Sequence, residues 1–343
     1  METGFARLSL LTQTAYARLL DQLAAPAVGD PGTGISLVSK SIRGRRYWYA
    51  QTVEGGRKVQ RYIGPDSPET ERLVERWRGA RAEASSRAEL VAMARAGGAH
   101  VVSAAEARVI SRLGPVFRMG GVLVGSHAFA VLGNALGVRW GEAMVRTEDV
   151  DLATDARIDL AVSRELQPLE LDGLLGGTVP RRPVLSPTYP ATSFSVRGAA
   201  IEVDLVTPLV GRERRRPVPV PALGAAATPL RFLDYLIEET QPGIVLGGEG
   251  VLVNVPRAGR FALHKLVVAS RRSRDGGSAA KARTDLVQAA ALVRVLAEDL
   301  PGELGLAWKA LAPRGPTWRR AVIASVRRLE PDVAEALRAQ GVR

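Results

Sequence analysis

Cysteine is absent from this 343-residue sequence, and histidine occurs at only three positions, His100, His127 and His264. The lack of cysteine excludes disulfide bonds, thiolate metal sites and a cysteine nucleophile. Three histidines so far apart are too few for a zinc site of the usual kind. No apolar run approaches the length of a membrane-spanning helix, and the N-terminal residues carry charges unlike a signal peptide. We therefore expect a soluble, cytoplasmic protein without membrane contact.

Lysine is also scarce, since only five of the 47 basic residues are lysines. Against 35 acidic residues, the basic residues leave a formal net charge of +12. A GC-rich genome accounts for the preference for Arg over Lys, but it does not account for the net excess. A surplus of this size favours a polyanionic partner, and nucleic acid is the leading candidate. A generally basic surface without such a partner is the alternative.

Residues 120–155 read as strand, tight turn, helix, loop and strand. A short apolar run, 122–124, ends at Gly125 and Ser126, and apolar residues follow with helical spacing from His127. A Gly-Ser turn at a helix N-terminus leaves backbone N–H groups free to bind a phosphate, and the Ser126 hydroxyl adds a donor. A turn that only caps the helix is the alternative, and for such a turn alone it is the commoner case.

Acidic and apolar residues alternate in two later segments, 149–152 and 201–206. On a strand, Asp149 and Asp151 share one face. Neighbouring carboxylates repel one another unless a cation lies between them, and Mg²⁺ held by carboxylates and substrate phosphates suits this pattern. If the two strands pair, Asp204 completes a three-carboxylate cluster able to hold two ions. A solvated strand edge with incidental Asp residues is the alternative.

A Gly-Ser turn, then Asp-x-Asp on a strand, then one Asp on a later strand resembles the pattern of the DNA polymerase β-like nucleotidyltransferase superfamily. The stretches RTEDVDL (146–152), IEVDLVTP (201–208) and FALHKLVVASRR (261–272) are similar to bacterial nucleotidyltransferase-fold proteins that include abortive-infection and MenT-type toxins. Within these the chain looks most like the GSU2403-type proteins. The resemblance covers about residues 112–300. It implies an α+β fold with a mixed sheet core and flanking helices.

The resemblance also implies roles for single residues. Asp149, Asp151 and Asp204 would be catalytic and would bind two Mg²⁺ or Mn²⁺ ions, with Asp204 also activating the acceptor hydroxyl. The residues that would hold the nucleoside triphosphate are Gly125, Ser126, Arg146, Thr147 and Lys265. The helix over 281–299 would pack behind the site, with Lys281 or Asp285 near it.

One spacing departs from the smallest members of the superfamily, because 22 residues separate Ser126 from Asp149. The additional segment, 137–148, is either a substrate-binding loop or a sign that Ser126 is not the equivalent residue.

Patterns in the first third of the chain predict four elements. Apolar spacing predicts a helix over residues 1–24. Two strand-like segments, 36–52 and 56–65, predict a β-hairpin. A charged connector helix follows from Ser67, which suits the N-cap position, and a further helix begins near Ser103 with the spacing of a capping box.

Aromatic residues and cations are interleaved in the predicted hairpin. Tyr47 and Tyr49 share one face of a strand and Trp48 lies on the other, with arginines and lysines around them. This composition suits stacking on bases and contacts to phosphates. Packing of the aromatic side chains on the body of the protein is an equally weighted alternative.

In the second half, the patterns predict a helix followed by a loop over 160–177, and a strand or hairpin over 185–197 that leads to the Asp204 strand. They also predict short strands at 232–237 and 244–255, which either close the sheet or form a hairpin beside it. From residue 256 to the end the pattern is helical. We therefore divide the chain into three domains. They are an N-terminal helix, basic hairpin and connector helix (1–100), a nucleotidyltransferase core (101–256) and a C-terminal helical domain (257–343).

The leading hypothesis is a metal-dependent nucleotidyltransferase that moves a nucleoside monophosphate from an NTP to an acceptor hydroxyl. The positive charge and the aromatic hairpin favour an RNA acceptor, such as the 3′ end of tRNA, and the similarity to toxins admits an antitoxin partner. One alternative is a non-catalytic nucleic-acid-binding protein on the same fold. Another is a small-molecule (antibiotic) nucleotidyltransferase, which the charge disfavours because basic antibiotics prefer acidic pockets.

Overall fold

Helices flank a mixed central sheet in the computed structural model, which confirms the α+β class. The structure describes residues 4–25, 36–54, 57–145, 149–155, 169–181, 189–209, 211, 216–274 and 278–343. In these ranges no helix combines the length and the apolar character needed to cross a membrane.

The strands are β1 (Phe5–Arg7), β2 (Ser36–Ile42), β3 (Arg45–Glu54), β4 (Arg57–Pro65), β5 (Val122–Leu123), β6 (Val138–Trp140), β7 (Asp149–Ala153), β8 (Thr178–Arg181), β9 (Ser193–Val196), β10 (Glu202–Pro208), β11 (Val218–Val220), β12 (Ala225–Leu230), β13 (Thr240–Val245) and β14 (Val251–Pro256). The helices are α1 (Leu10–Ala24), α2 (Pro68–Ala96), α3 (Ala104–Arg112), α4 (Gly114–Arg118), α5 (Gly125–Ala135), α6 (Glu142–Val145), α7 (Leu171–Leu175), α8 (Leu233–Ile237), α9 (Ala258–Arg274), α10 (Ala279–Asp299), α11 (Pro301–Leu311), α12 (Pro316–Val326) and α13 (Pro331–Ala339).

The central sheet has the strand order β11-β12-β10-β7-β5, with β9 also paired to β10 and β8 paired to β9. Strands β7 and β10 are parallel neighbours, and β10 also runs parallel to β12. Four residues that alternate with the acidic ones, Val150, Leu152, Val203 and Leu205, are buried in the core. Because successive side chains of a strand point to opposite faces, this burial turns the acidic residues of both strands to the other face.

The main hydrophobic core extends from the sheet through α5 and α9 into the C-terminal helices. A second, smaller core joins α1 and α2 to β13. Residues 101–256 and 257–343 therefore share one core, and the three-domain division stays a prediction.

The predicted N-terminal helix begins later than expected. Residues Phe5–Arg7 form β1, which pairs with β6, and α1 starts at Leu10 with the Ser9 hydroxyl accepting the backbone N–H of Thr12. The prediction of one helix from the start of the chain is thus wrong for this segment. Strand β6 and helix α6 lie within residues 137–148, so the additional segment has secondary structure of its own.

The basic aromatic segment forms three antiparallel strands, β2-β3-β4, and the predicted two-stranded hairpin is wrong in this respect. Strands β2 and β3 are joined by a tight turn at Arg43 and Gly44, whose φ angles are 50° and 78°. Two successive positive φ angles are typical of the turns that connect such strands. The connector helix and its Ser67 cap are confirmed as α2, and the capping box at Ser103 is confirmed at the start of α3.

Two further corrections concern the second half. The predicted strand at 232–237 is wrong, since Leu233–Ile237 is helix α8, entered through Phe232 with φ 70°. Residues 244–255 contribute to the antiparallel hairpin β13–β14 beside the sheet. The helical pattern predicted from residue 256 onward begins with α9, and the helix predicted over 281–299 is confirmed as α10. Residues 160–168 and 185–188 of the other predicted elements lie outside the described residues.

Candidate active site

The turn at Gly125 joins β5 directly to the N-terminus of α5. Gly125 has φ +69°, and the N-cap residue is Val124, whose side chain cannot accept a hydrogen bond. The backbone N–H of Val124 donates to the carbonyl of Asp151 (3.0 Å), which ties the turn to β7. A Cβ atom on Gly125 would lie 2.0 Å from Asp151 Oδ2. The Asp151 carboxylate thus lies against the start of the helix, in space that only glycine leaves open.

Strand register brings the predicted carboxylates together. In the parallel pair β7–β10, Asp204 is the partner of Asp151, and Glu202 is the partner of Asp149. Asp149 is exposed, whereas Asp151 and Asp204 are half-buried. Burial, and then the charges of Asp204 and Asp149, raise the pKa of Asp151 to about 6. The nearby Lys265 acts in the opposite direction on this pKa. The carboxylates therefore interact electrostatically, as a cation-binding centre requires.

The donor atoms of the same carboxylates can be compared with the ligands that a divalent metal ion prefers. Among the described residues, no group of three or more His, Cys, Asp or Glu side chains is arranged to hold a metal ion. Mg²⁺ is usually bound by one or two carboxylates, with water and substrate phosphates as its other ligands. The cross-strand pair Asp151 and Asp204 fits that donor set. The raised pKa of Asp151 reflects its burial first and then repulsion by Asp204 and Asp149, and a bound cation would relieve the repulsion. The donor chemistry fits Mg²⁺ or Mn²⁺ with substrate oxygens as further ligands.

A cavity of about 660 Å³ opens beside Gly125 and Asp151. Such a volume is in the range of small-molecule sites. One wall is apolar and comes from β12, α8 and α9. The charged part of the lining includes Lys265, Arg272 and Asp285. The cavity thus combines an apolar surface with a cationic one, next to the carboxylates.

Asp285 of α10 holds two cations of α9 in the cavity wall. Its carboxylate accepts from Lys265 Nζ at 2.9 Å and from the Arg272 guanidinium, and its side chain is only 3% exposed. Because one carboxylate neutralises only one of the two cations, a net positive charge remains in this part of the cavity wall. Burial, together with the charges of Lys265 and Arg272, lowers the pKa of His264 to about 3, so this ring is neutral at pH 7.

Arg272 was not among the residues predicted from sequence, although a signal for it exists. It lies seven residues after Lys265, two helical turns, and such a spacing places both side chains on one face of a helix.

His127 connects the first turn of α5 to β7, and sequence reasoning missed this role. It is 3% exposed, and its Nδ1 atom lies 3.1 Å from the carbonyl oxygen of Asp149. Its Nε2 atom lies 3.3 Å from Glu106 Oε1, while Glu106 Oε2 accepts the backbone N–H of Ser103 at 2.7 Å. The hydrogen bond to His127, followed by those to Ser103, outweighs burial and lowers the pKa of Glu106 to about 2. The capping-box glutamate thus also supports the residue that positions β7.

The structure brings some of the predicted residues to one place and leaves others apart. Gly125, Asp151 and Lys265 line the cavity. Ser126 is half-buried in the first turn of α5. Lys281, at the exposed start of α10, is not among the described residues that line the cavity, whereas Asp285 is. Two further candidates, Arg146 and Thr147, lie outside the described residues.

Comparisons with known proteins give two matches. A family model described as nucleotidyltransferase matches residues 102–313, more than half of the chain, and this range contains the carboxylates and the cavity. A second model, described as a domain of unknown function (DUF6788), matches residues 12–72, which include β2, β3 and β4. No curated protein and no solved structure matches the chain.

Proposed function

We propose, from the premise that this chain belongs to the nucleotidyltransferase family, that its active centre is formed by Asp149, Asp151 and Asp204. Membership means a transferase that moves a nucleoside monophosphate from a nucleoside triphosphate. We assign this reaction to the cavity beside β7 and β10, with Mg²⁺ or Mn²⁺ as the cofactor. Within the family we place the chain with the GSU2403-type proteins because of its RTEDVDL and IEVDLVTP stretches.

One observation carries the proposal. Asp151 is the register partner of Asp204, and its Oδ2 occupies the space beside Gly125 at the start of α5. A helix N-terminus attracts anions, because its first N–H groups are unpaired and the helix dipole is positive there. Carboxylates directly beside such a terminus would repel a phosphate unless a cation is bound between them. This combination suits a substrate that arrives with a divalent cation, as NTPs do.

Each residue then has a task. The N–H groups at Gly125 and the Ser126 hydroxyl would bind phosphate oxygens, and Lys265 of α9 would contact them as a point charge. Asp149, Asp151 and Asp204 would hold the two divalent ions only together with substrate phosphate oxygens, because the described carboxylates alone form no group of three arranged around a metal ion. When bound, the ions supply neutralisation of the phosphate charge. The acceptor oxygen attacks the α-phosphorus, the bond to the β-phosphate oxygen breaks, and pyrophosphate leaves. The proton of the acceptor hydroxyl passes to Asp204 or to solvent. Positioning and charge neutralisation are the main sources of rate in such transfers.

RNA is the acceptor that the charge of the chain supports best. The net charge of +12 attracts a polyanion, and it disfavours the basic antibiotics that a small-molecule enzyme of this type would modify. A nucleic-acid-binding protein that has lost activity is less well supported, because the acidic residues of β7 and β10 are all present.

A labelling experiment tests the proposal. Purified protein is incubated with each NTP labelled at the α-phosphate, Mg²⁺ and total cellular RNA, beside the variant Asp149→Asn. We expect label in a discrete RNA species with the native protein alone. Because Asp149 is exposed, the variant should keep the native unfolding midpoint. Transfer by a folded Asp149→Asn variant at the native rate would overturn the assignment of the active centre.

A further inference from the structure

The three-stranded sheet β2–β4 carries a strong local excess of positive charge. Over residues 36–65 the chain has seven basic residues and a single acidic one, Glu54. The basic residues are Lys40, Arg43, Arg45, Arg46, Arg57, Lys58 and Arg61. This is a much higher cationic density than in the chain as a whole, so the sheet has its own attraction for polyanions.

Three tyrosines form a continuous aromatic surface on one side of this sheet. The ring centroid of Tyr62 lies 6.2 Å from that of Tyr47 and 5.6 Å from that of Tyr49, with interplanar angles of 48° and 68°. Tyr62 is 58% exposed, and the other two rings are half-buried. The Lys40 ammonium lies 5.2 Å from the centroid of Tyr49. We call this side the tyrosine face.

Strand register shows which side chains share the tyrosine face. Lys40 is the partner of Tyr47, and Tyr62 is the partner of Tyr49. Further along, Gln60 Nε2 donates to Gln51 Oε1 across the same pair of strands at 2.7 Å. By alternation Arg45 and Lys58 also lie on this side, and its described residues include no carboxylate. The tyrosine face therefore offers aromatic rings, cations and amides without a negative charge.

On the opposite side of the sheet, Trp48 packs against helix α2 and the residue that precedes its cap. Trp48 is 7% exposed, its Nε1 donates to Asp66 Oδ1 at 2.8 Å, and the Arg78 guanidinium of α2 lies 5.5 Å from its ring centroid. Packing on the body of the protein thus accounts for the presence of an aromatic side chain at Trp48. It does not account for the tyrosines, because the strand turns them to the other side. Tyr62 in particular is more than half exposed.

We propose that the tyrosine face binds single-stranded nucleic acid and holds the acceptor strand. Exposed rings give unpaired bases a stacking surface, while nearby cations contact the phosphates, and every base has a π-face to offer. A duplex keeps its bases stacked inside and so cannot use these rings. Binding of a single strand does not depend on the proposed function, whereas the assignment of that strand as the acceptor rests on the proposed function.

Fluorescence anisotropy with a labelled single-stranded RNA tests the binding step. We expect Tyr62→Ala to weaken binding about tenfold, and Tyr47→Ala combined with Tyr62→Ala to weaken it further. The matched variants Tyr47→Phe and Tyr62→Phe keep the rings and should bind like the native protein. The corresponding single-stranded DNA and the RNA duplex serve as comparison ligands. Equal or tighter binding of the duplex, or native affinity of the double alanine variant, would overturn the proposal.

A salt titration gives a second measurement that does not depend on the tyrosines. Lys40→Ala should reduce the slope of log affinity against log salt by about 0.7, the value for one phosphate contact on a single strand. Lys309→Ala, at an exposed lysine of α11, should leave the slope unchanged. Equal slopes for the native protein and Lys40→Ala would contradict the contact.

Separate variants distinguish loss of RNA binding from loss of nucleotidyl transfer. Asp149→Asn should bind single-stranded RNA like the native protein while losing transfer. Transfer to RNA that is unaffected by the double alanine variant would show that the acceptor binds elsewhere, and it would overturn this inference while leaving the proposed function intact. Absence of RNA binding by the native protein would also overturn the inference, whichever acceptor the enzyme uses.

Discussion

A Cβ atom on Gly125 would lie 2.0 Å from Oδ2 of Asp151, so the turn before α5 leaves no room for a side chain beside the carboxylate on β7. We predict that Gly125→Ala loses nucleotidyl transfer, because the added methyl group displaces Asp151. The left-handed φ of +69° adds strain of about 1 kcal/mol. Initial rates and the free energy of unfolding measure the two effects.

Gly120 supplies the matched control for this variant. Its φ is +92°, but a Cβ atom there meets nothing within 4 Å. Gly120→Ala should therefore lose about as much stability to backbone strain as Gly125→Ala does, but it should keep its activity. If both alanine variants are equally active, the contact with Asp151 has no catalytic importance.

We predict that the charged Asp151 carboxylate lowers the free energy of unfolding at neutral pH, although transfer requires it. Its pKa of about 6 lies above the ordinary value of 3.8, so the folded protein binds a proton more tightly than the unfolded chain. The contribution of this group therefore favours folding at low pH and is lost as the pH rises through about 6. At pH 7 without divalent ions, Asp151→Asn should raise the free energy of unfolding by about 1–3 kcal/mol, while abolishing transfer.

Denaturant titrations of the native protein and Asp151→Asn at several pH values check this prediction. The gain should shrink as the pH falls from 7 towards 4, since the native carboxyl becomes protonated there. Glu335→Gln, at an exposed position on α13, should show no comparable gain. A destabilised Asp151→Asn variant would mean that the charged form is favoured by its surroundings.

Local patterns were sufficient to predict the strands that carry the carboxylates. Apolar residues at every second position, such as Val150 and Leu152, require a buried face, and they thereby place the acidic residues on the other one. The capping box at Ser103 and the N-cap at Ser67 were equally readable, because each depends on residues close in sequence.

Features that depend on tertiary contacts were not predictable in this way. The bond between His127 and the Asp149 carbonyl joins a helix to a strand across a long connection. The turn at Arg43 and Gly44 was missed because arginine rarely adopts a positive φ, and here the flanking strands impose it. The segment 233–237 is apolar enough for either element, so its surroundings decide that it is helical.

Lys265 and Asp285 should respond very differently to substitution. Lys265→Ala removes a cation from the cavity while Arg272 still pairs with Asp285, so we expect a rise in the KM for NTP of about tenfold or more with a small loss of stability. Asp285→Ala leaves two cations without their buried counterion, and it should cost about 3–5 kcal/mol of stability. Steady-state kinetics and thermal unfolding separate these outcomes.

Lys281→Ala is the control for Lys265→Ala, because Lys281 is also a lysine of these two helices but lies at the exposed start of α10. An unchanged KM for Lys265→Ala, or an equal rise for Lys281→Ala, would argue against a phosphate contact at Lys265.

Glu106 is predicted to stabilise the protein in a pH-dependent way. Its pKa of about 2 lies below the ordinary value of 4.5, mainly because of its hydrogen bond to His127. A depressed carboxyl pKa contributes stability that is present above about pH 4.5 and is lost as the pH falls towards 2. Glu106→Gln should therefore be less stable than the native protein at pH 7, by about 1–3 kcal/mol, and this difference should narrow between pH 4.5 and 2.

The same variant tests whether Glu106 and His127 position β7. Without its carboxylate partner, His127 holds the Asp149 carbonyl less firmly, so the turnover number should fall more than the KM for NTP changes. Glu89→Gln, at an exposed position on α2, should alter neither stability nor turnover. If Glu106→Gln loses stability but keeps the native turnover number, the pair supports the fold alone and has no part in positioning the catalytic strand.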